Sequence, residues 1–255
     1  TIHDGSLFNR HDEGGIAVDS NGYAFIYDKH YSSNNPYVWK NATNTGTWIT
    51  ASGFPYQLNT TNGEWRGLIV PLTNGKVYAI YAINNSTIRG RLWNGSSWGA
   101  EETNVADYSV AAVPDWGGSL SATAYGDDVY FAYLRATTYQ VRFNKRVYGT
   151  GWQANDELVQ DSVTNSSAPV ITMDTSTGDS YVFWAGAPAA NHIYYKRRTS
   201  WGAWDSNPVN WVDESTDGLT RNDSITGYFK KYDSRIGLVY LTGSSSPYDI
   251  KFKSF

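Results

Sequence analysis

The sequence predicts an all-β protein built from a repeated unit, and three observations support this fold class. Aromatic residues make up 16% of the chain, with 20 Tyr and 11 Trp, and such side chains suit a pleated sheet better than a helix. Charged residues are only 17%, against about 25% in an average globular domain. Five short runs that end in an aromatic anchor also recur at spacings of 54, 52, 51 and 56 residues, which indicates a repeat architecture; the anchors are Tyr27, Tyr81, Tyr133, Trp184 and Tyr240.

Each repeat has the same order of elements around its anchor. Upstream lies a strand-like run and a turn rich in Gly, Asn and Asp, and downstream a variable loop leads to an alternating strand. In four of the five repeats a turn of small residues follows and carries a tryptophan, namely Trp48, Trp98, Trp152 and Trp201. The unit is therefore four strands, and the recurring tryptophan predicts one shared packing role at the last hairpin.

The fifth repeat predicts how the sheets close into a ring. The sequence reaches Phe255 directly after the third strand of this repeat, which would leave a bare sheet edge unless the N-terminal stretch IHDGSLF supplies the fourth strand. This arrangement is typical of a single β-propeller with five four-stranded blades around a central channel. The predicted blades are 14–64, 65–116, 117–166, 167–222 and 223–255, the last completed by 1–13.

Charge and composition exclude several classes of partner. The net charge is −4, from 20 basic and 24 acidic residues without a basic stripe, so nucleic acid is not expected as a partner. No apolar run approaches the roughly 20 residues that cross a bilayer, so membrane insertion is not expected either. Cysteine is absent, which excludes disulfides, a thiol nucleophile and a cysteine metal site, and no cofactor is expected.

The chain contains seven Asn-x-Ser/Thr triplets, which are candidate sites for N-linked glycans. Together with low charge and many aromatic residues, they indicate a glycoprotein that is extracellular or lies at the cell surface. The alternative is that a chain rich in Asn, Ser and Thr forms such triplets by chance. The candidates are Asn41, Asn59, Asn84, Asn85, Asn94, Asn165 and Asn222.

Several segments resemble one family of propellers. NATNTGTW, at 41–48, is similar to the Asp-box of sialidase-like propellers, which has the pattern Ser-x-Asp-x-Gly-x-x-Trp. GIAVDSNGYAFIYDKH and GLVYLTGSSSPYDIKFKSF are similar to the non-catalytic BNR-type repeats of microbial surface and secreted proteins. The resemblance implies a propeller that lacks sialidase activity, because the Arg-Ile-Pro motif of true sialidases is absent.

The links that enter the first strand of each predicted blade carry the candidate ligand-binding residues. These links open on one face of a propeller, and they differ from one repeat to the next. A sugar needs an aromatic surface for its apolar face and a few fixed polar groups for its hydroxyls. The candidates are Arg10, Asp12, Trp65, Arg66, Asp115, Trp116 and Arg221, with the alternative that the two tryptophans fill the space between blades.

An enzymatic site is the alternative use of the same face. His11 and Glu13 alternate along the chain, so on a strand they point to one side and offer an acid and a base, which His30 could join. With Arg66 or Arg221 opposite a uronate carboxylate, this group would suit a polysaccharide lyase or a glycosidase. A metal held by the two histidines and a carboxylate is an alternative, but no metal site is expected.

We therefore expect a non-catalytic extracellular propeller that acts as a carbohydrate-binding or structural module of a cell-surface or appendage protein. Its expected partner is a glycan or surface polysaccharide. A carbohydrate-active enzyme with its site at the channel mouth is one alternative. A structural protein that assembles with copies of itself is the other, because open Trp- and Tyr-rich surfaces could supply the contacts.

Overall fold

The computed structural model describes most of the chain. It divides into two compact units, 1–107 and 108–255. The described residues are 15–29, 33–61, 63–84, 86–111, 119–165, 167, 169–213, 225–227, 230–233, 235–243 and 247–254, with backbone alone at 63–65. Within these ranges all regular structure is β-strand, which confirms the predicted all-β class. A search of the same ranges for a helix of membrane-spanning length and hydrophobicity finds none.

The first sheet is a four-stranded antiparallel meander in the first unit. Its strands follow one another in chain order: β1 (Gly15–Val18), β2 (Ala24–Lys29), β3 (Pro36–Lys40) and β4 (Tyr56–Gln57). The turn between β1 and β2 forms because the Asp19 carboxylate accepts hydrogen bonds from the backbone N–H groups of Asn21 and Tyr23, each at 2.9 Å. Along β2 burial alternates, as expected for a strand with one face on a core.

The second sheet completes the first unit. It contains β5 (Gly63–Pro71), β6 (Val77–Ile83) and β7 (Thr87–Trp93), and every residue of the central strand β6 is buried. In place of a fourth strand, the chain returns beside β7 through two single-residue bridges, from Trp93 to Trp98 and from Gly90 to Glu102. β5 begins two residues before the predicted blade boundary at 65.

The first two sheets share one hydrophobic core. Phe25 and Tyr27 of β2 pack in the same cluster as Val77 and Tyr81 of β6. The Tyr27 ring lies directly over Gly67 of β5, where an added Cβ would be 2.0 Å from a ring carbon. Only glycine therefore permits this approach of the ring to the backbone.

The third sheet opens the second unit. Its strands are β8 (Leu120–Tyr125), β9 (Asp128–Arg135), β10 (Gln140–Val147), β11 (Gly151–Trp152) and β12 (Glu157–Gln160). The first four pair in chain order, and β12 pairs with β10 beyond the end of β11. A predicted single fourth strand is thus divided into two short pieces.

The fourth and fifth sheets complete the second unit. β13 (Val170–Asp174), β14 (Asp179–Ala185), β15 (His192–Arg198) and β16 (Val209–Asp213) form one meander, and β17 (Ile225–Gly227), β18 (Gly237–Thr242) and β19 (Asp249–Ser254) form the other. The ion pair between Lys231 Nζ and Asp174 Oδ1, at 3.2 Å, joins their turns. Partial burial opposes ionisation of Asp174, but hydrogen bonds from Ser176 and the neighbouring Lys231 outweigh it and lower the pKa of this carboxyl.

The five aromatic anchors occupy equivalent places in the five sheets. Each is buried in the second strand of its sheet, as the spacing predicts; they lie in β2, β6, β9, β14 and β18. The predicted closing strand, residues 1–13, lies outside the described residues. Among the described strands β19 pairs with β18 alone, and Ile250 and Phe252 on it are exposed.

The predicted role of the hairpin tryptophan is wrong for Trp201. This side chain is 90% exposed, and the residue that pairs back onto the third strand of its sheet is Trp204, bridged to Arg198. Trp152 pairs with Arg146 in the same way, and both hairpins leave five residues between the paired positions. With that loop length, Trp201 falls at the tip of the hairpin and Trp204 takes the packing position.

Candidate functional site

A cleft of about 230 Å³ opens in the first unit where the end of the first sheet meets β7 of the second. One wall is the segment that follows β4, and the other consists of β7 and the returning chain beside it. We call this feature the Glu101 cleft. Its lining residues are Gln57, Leu58, Asn59, Thr60, Arg91 and Glu101.

The carboxylate of Glu101 is held in a fixed position by donors on three sides. Its Oε2 accepts hydrogen bonds from Asn59 Nδ2 at 2.5 Å and from the Tyr81 hydroxyl at 2.7 Å. Its Oε1 lies 3.6 Å from Arg89 Nε. Burial raises the pKa of Tyr81, and the hydrogen bond to Glu101 raises it further, so this hydroxyl stays protonated and remains a donor at physiological pH.

The guanidinium of Arg91 supplies the opposite charge. Arg91 stands on β7 opposite Ala79, and its Nη1 donates to the Tyr56 hydroxyl at 3.3 Å and to the Gly99 carbonyl at 3.4 Å. Its Nε is buried and has no hydrogen-bond partner among the described residues. Because an unsatisfied buried donor is costly, the Arg91 guanidinium keeps an unmet requirement for an acceptor.

Aromatic rings adjoin the polar groups of the cleft. Tyr56, which contacts Arg91, stacks on Trp98 with centroids 5.7 Å apart and an interplanar angle of 25°. Trp98 in turn contacts Trp93 at 5.6 Å, and Phe54 meets Trp93 at 5.4 Å. The Trp98 indole nitrogen is buried and, within the described part of the chain, has no partner.

The polar groups of the Glu101 cleft can exchange hydrogen bonds with a polyhydroxylated ligand. A fixed carboxylate can accept from one hydroxyl, and an arginine can donate to the next. Glycosidases as a rule place two carboxyl groups across the bond that they cleave. Glu101 is the single carboxylate in the described lining.

A related arrangement occurs in the second unit. The Tyr133 hydroxyl donates to the Asp156 carboxylate, and Arg142, the register partner of Tyr133, donates from Nη2 to the Asp156 carbonyl at 3.2 Å. In the first unit Arg89 is likewise the register partner of Tyr81. Burial, followed by the charge of Asp156, raises the pKa of Tyr133, as burial does for Tyr81. The repeat therefore places a tyrosine–carboxylate pair beside an arginine twice.

Two arginines of the second unit also contact one tyrosine. The Arg135 guanidinium lies 3.6 Å from the centroid of the Tyr108 ring, and that of Arg142 lies 4.8 Å from it. The fourth sheet departs from this pattern because Trp184 replaces the tyrosine and donates its indole N–H to the Ala187 carbonyl at 2.6 Å. The arrangement is thus confined to particular repeats.

Most of the predicted site residues fall outside the described residues. This is so for Arg10, His11, Asp12, Glu13, His30, Asp115, Trp116 and Arg221. Trp65 and Arg66 lie on β5, and Arg66 is buried. Neither the binding role nor the catalytic role of these residues is tested, and both remain predictions. Among the described residues, no three His, Asp or Glu side chains are grouped so that they could hold a metal ion.

Sequence reasoning missed both charged residues of the Glu101 cleft. Arg91 and Glu101 belong to the second predicted blade, 65–116, whose repeated positions indicate a packing role. A signal was present, because an acidic residue follows the hairpin tryptophan by three residues at Glu101 and by four at Asp156. Comparing the polar positions of the repeats, in addition to the aromatic ones, would have identified them.

The candidate glycosylation sites differ in their surroundings. Asn41 is buried, and its amide donates to the Thr47 carbonyl and accepts from the Ile49 N–H. The Nδ2 atom of Asn59, to which a glycan would be attached, is the donor to Glu101. The others that the structure describes are exposed, at Asn84, Asn94 and Asn165, whereas Asn85 and Asn222 lie outside the described ranges.

Comparison with known proteins identifies the fold but no family. No family model and no curated protein matches the chain. Among solved structures, the Aleuria aurantia lectin in complex with Fucα1-6GlcNAc is 14% identical with a TM-score of 0.61, over 93% of this chain and 77% of the lectin. The SapL1 lectin in complex with α-methyl fucoside is 16% identical, with a TM-score of 0.58 over 98% and 78%.

A third structure is a mutant of AofleA from Arthrobotrys oligospora, 11% identical with a TM-score of 0.63, over 98% of this chain and 70% of AofleA. The Aleuria aurantia lectin is described as a six-bladed β-propeller with a novel mode of fucose recognition. At these identities the similarity shows the fold alone. It confirms the predicted β-propeller, whereas the number of five blades and the sialidase-like type stay predictions.

Proposed function

We propose that the protein is a non-catalytic, extracellular carbohydrate-binding β-propeller and that the Glu101 cleft holds a sugar. The observation that carries this proposal is the pairing of a fixed carboxylate with the guanidinium of Arg91 in the lining of one cleft. Tyr56, which accepts a hydrogen bond from Arg91, stacks on Trp98 beside that lining. A site built in this way presents an acceptor and a donor within one small volume.

Two adjacent hydroxyls of a pyranose match this arrangement. One hydroxyl donates to Glu101, and its neighbour accepts from the guanidinium of Arg91, which lines the cleft. The carboxylate needs no rearrangement on binding, because Tyr81 and Asn59 already hold it. A preformed site avoids part of the entropic cost of ordering side chains, which favours affinity for a small ligand. The lectins of similar fold were solved with fucosides, and this supports a glycan as the ligand.

The proposal includes five blades, closed by residues 1–13. The support is five separate sheets at the predicted positions and a last strand, β19, whose side chains from Asp249 to Lys253 are exposed in the described structure. A further strand on β19 would cover this edge, as sheet edges usually require.

The test is a glycan array that contains fucosylated, neutral, sialylated and uronic-acid glycans, probed with the wild type and two variants. Arg91→Met removes the guanidinium but keeps the aliphatic stem, and Arg235→Met is the matched control on an exposed arginine between β17 and β18. We expect binding by the wild type and the control, and its loss in Arg91→Met. Binding that survives in Arg91→Met, or silence of the whole array, would overturn the assignment. New reducing or unsaturated ends would overturn the non-catalytic part alone.

A further inference from the structure

Three turns of the second unit expose aromatic side chains that the fold does not bury. Tyr125, at the end of β8, is 43% exposed, Tyr148, after β10, is 46% exposed, and Trp201, after β15, is 90% exposed. The packing positions of the two hairpins that carry Tyr148 and Trp201 are already filled by Trp152 and Trp204. The exposed rings are therefore additional to what the hairpins need. We call these three residues the aromatic patch.

Hydrogen bonds show that the turns of Tyr125 and Tyr148 are adjacent. The backbone N–H of Tyr148 donates to Asp128 Oδ1 at 2.9 Å, and Asp128 is the register partner of Tyr125. Lys145 Nζ forms an ion pair with the other oxygen of Asp128 at 2.9 Å. These contacts fix the first two turns of the aromatic patch relative to each other.

Contacts at Gly178 connect Tyr125 to the hairpin of Trp201. A Cβ added to Gly178 would lie 3.2 Å from Ser200 Cβ and 3.4 Å from a carbon of the Tyr125 ring. The backbone N–H of Ser200 also donates to Asp179 Oδ1 at 2.9 Å. Since Trp201 follows Ser200 directly, the hairpin that carries Trp201 lies beside Tyr125.

The chemistry around the aromatic patch is polar and balanced in charge. Lys145 pairs with Asp128, and the Arg197 guanidinium lies 3.8 Å from Asp179 and 3.7 Å from Asp205, so both cations already have acidic partners. Among the described residues of these turns, every exposed large apolar side chain is Tyr or Trp, and none is aliphatic. Aromatic faces beside hydroxyl and charged groups suit the apolar face and the hydroxyl edge of a sugar ring.

We propose that the aromatic patch is a second glycan contact, which binds a segment of a neutral polysaccharide chain. The rings are spread over three turns and stand in solvent, so they suit several successive sugars better than one terminal residue. Because both cations already have acidic partners, a neutral chain is favoured over a sulfated or uronic one. This proposal does not rest on the Glu101 cleft, because the two sites share no residue.

Affinity electrophoresis in gels that contain hydroxyethylcellulose, xyloglucan or laminarin tests this proposal on the full chain. We expect at least one of these polysaccharides to retard the wild type. Trp201→Ala should raise the dissociation constant about tenfold, which is the effect of losing one stacked ring. The double variant Trp201→Ala with Tyr125→Ala should show no retardation. The matched control is Tyr248→Ala, an exposed tyrosine beside β19 at the opposite end of the strands, and it should migrate as the wild type does.

The outcomes separate this site from the Glu101 cleft and from self-association. Arg91→Met should keep its retardation, because it leaves the aromatic patch intact. Wild-type protein that none of the three polysaccharides retards, or retardation that survives in the double variant, would overturn the proposal. A wild-type dimer in sedimentation velocity that Trp201→Ala dissociates would overturn it in favour of a second copy of the chain as the occupant.

Discussion

Replacement by alanine should lower the free energy of unfolding at Trp204 but leave it almost unchanged at Trp201, although both residues lie in one hairpin. Trp204 packs edge-on against Phe143, with centroids 5.4 Å apart, and its indole N–H donates to Glu157 Oε2 at 2.6 Å. A fully buried tryptophan costs about 3–5 kcal/mol on truncation, and Trp204 is partly exposed, so we expect Trp204→Ala to lower the free energy of unfolding by about 3 kcal/mol. Trp201 is 90% exposed, and Trp201→Ala should change it by less than about 0.5 kcal/mol.

Thermal unfolding of the two variants measures this difference. At about 2–4 °C per kcal/mol for a chain of this size, Trp204→Ala should melt about 6–12 °C below the wild type. Trp204→Phe keeps a ring against Phe143 and loses only the N–H donor, so it should fall in between. Equal melting temperatures for Trp204→Ala and Trp201→Ala would refute the assignment of Trp204 to the packing position.

Three further substitutions test contacts elsewhere in the molecule. Tyr81→Phe removes the buried hydroxyl that donates to Glu101 and should cost about 1.5–3 kcal/mol in urea denaturation, so an unchanged midpoint would contradict this hydrogen bond. Gly67→Ala puts a Cβ 2.0 Å from the Tyr27 ring and should cost about 3 kcal/mol or more, whereas a fully stable variant would mean that the ring can move aside. Because the pKa of Asp174 is lowered by folding, the wild type should exceed Asp174→Asn in stability at pH 7, and the difference should be lost as the pH falls through the lowered pKa of this carboxyl; a difference independent of pH would exclude the ion pair as its source.

The fold could be predicted because it depends on repetition, which a single sequence displays. The anchors from Tyr27 to Tyr240 recur since each fills the same buried place in a second strand. The error at Trp201 has a local cause: the turn TSWGAW offers two tryptophans, and loop length decides which one pairs back. The spacing of the aromatic anchors along the sequence does not determine the length of this hairpin loop.

The Glu101 cleft could not be predicted from a motif because its residues are far apart in sequence. Asn59 comes from the end of the first sheet, whereas Arg91 and Glu101 come from the second. Their convergence depends on how the two sheets pack, which the repeat does not encode residue by residue. Residues that are unusual in the links between repeats therefore give no indication of a site formed by residues within the repeats.

Isothermal titration of the strongest array ligand into the wild type and Glu101→Gln tests whether the Glu101 cleft binds the sugar. Glutamine keeps the shape and one acceptor oxygen for Tyr81 and Asn59, but it removes the charge that a sugar hydroxyl would meet. We expect affinity to fall at least about tenfold, or 1.4 kcal/mol, in a variant that is less stable, because its hydrogen bond from Tyr81 is no longer charge-assisted, but that stays folded at the temperature of the titration. If Glu101→Gln bound the ligand with the affinity of the wild type, the Glu101 cleft would not be the sugar site.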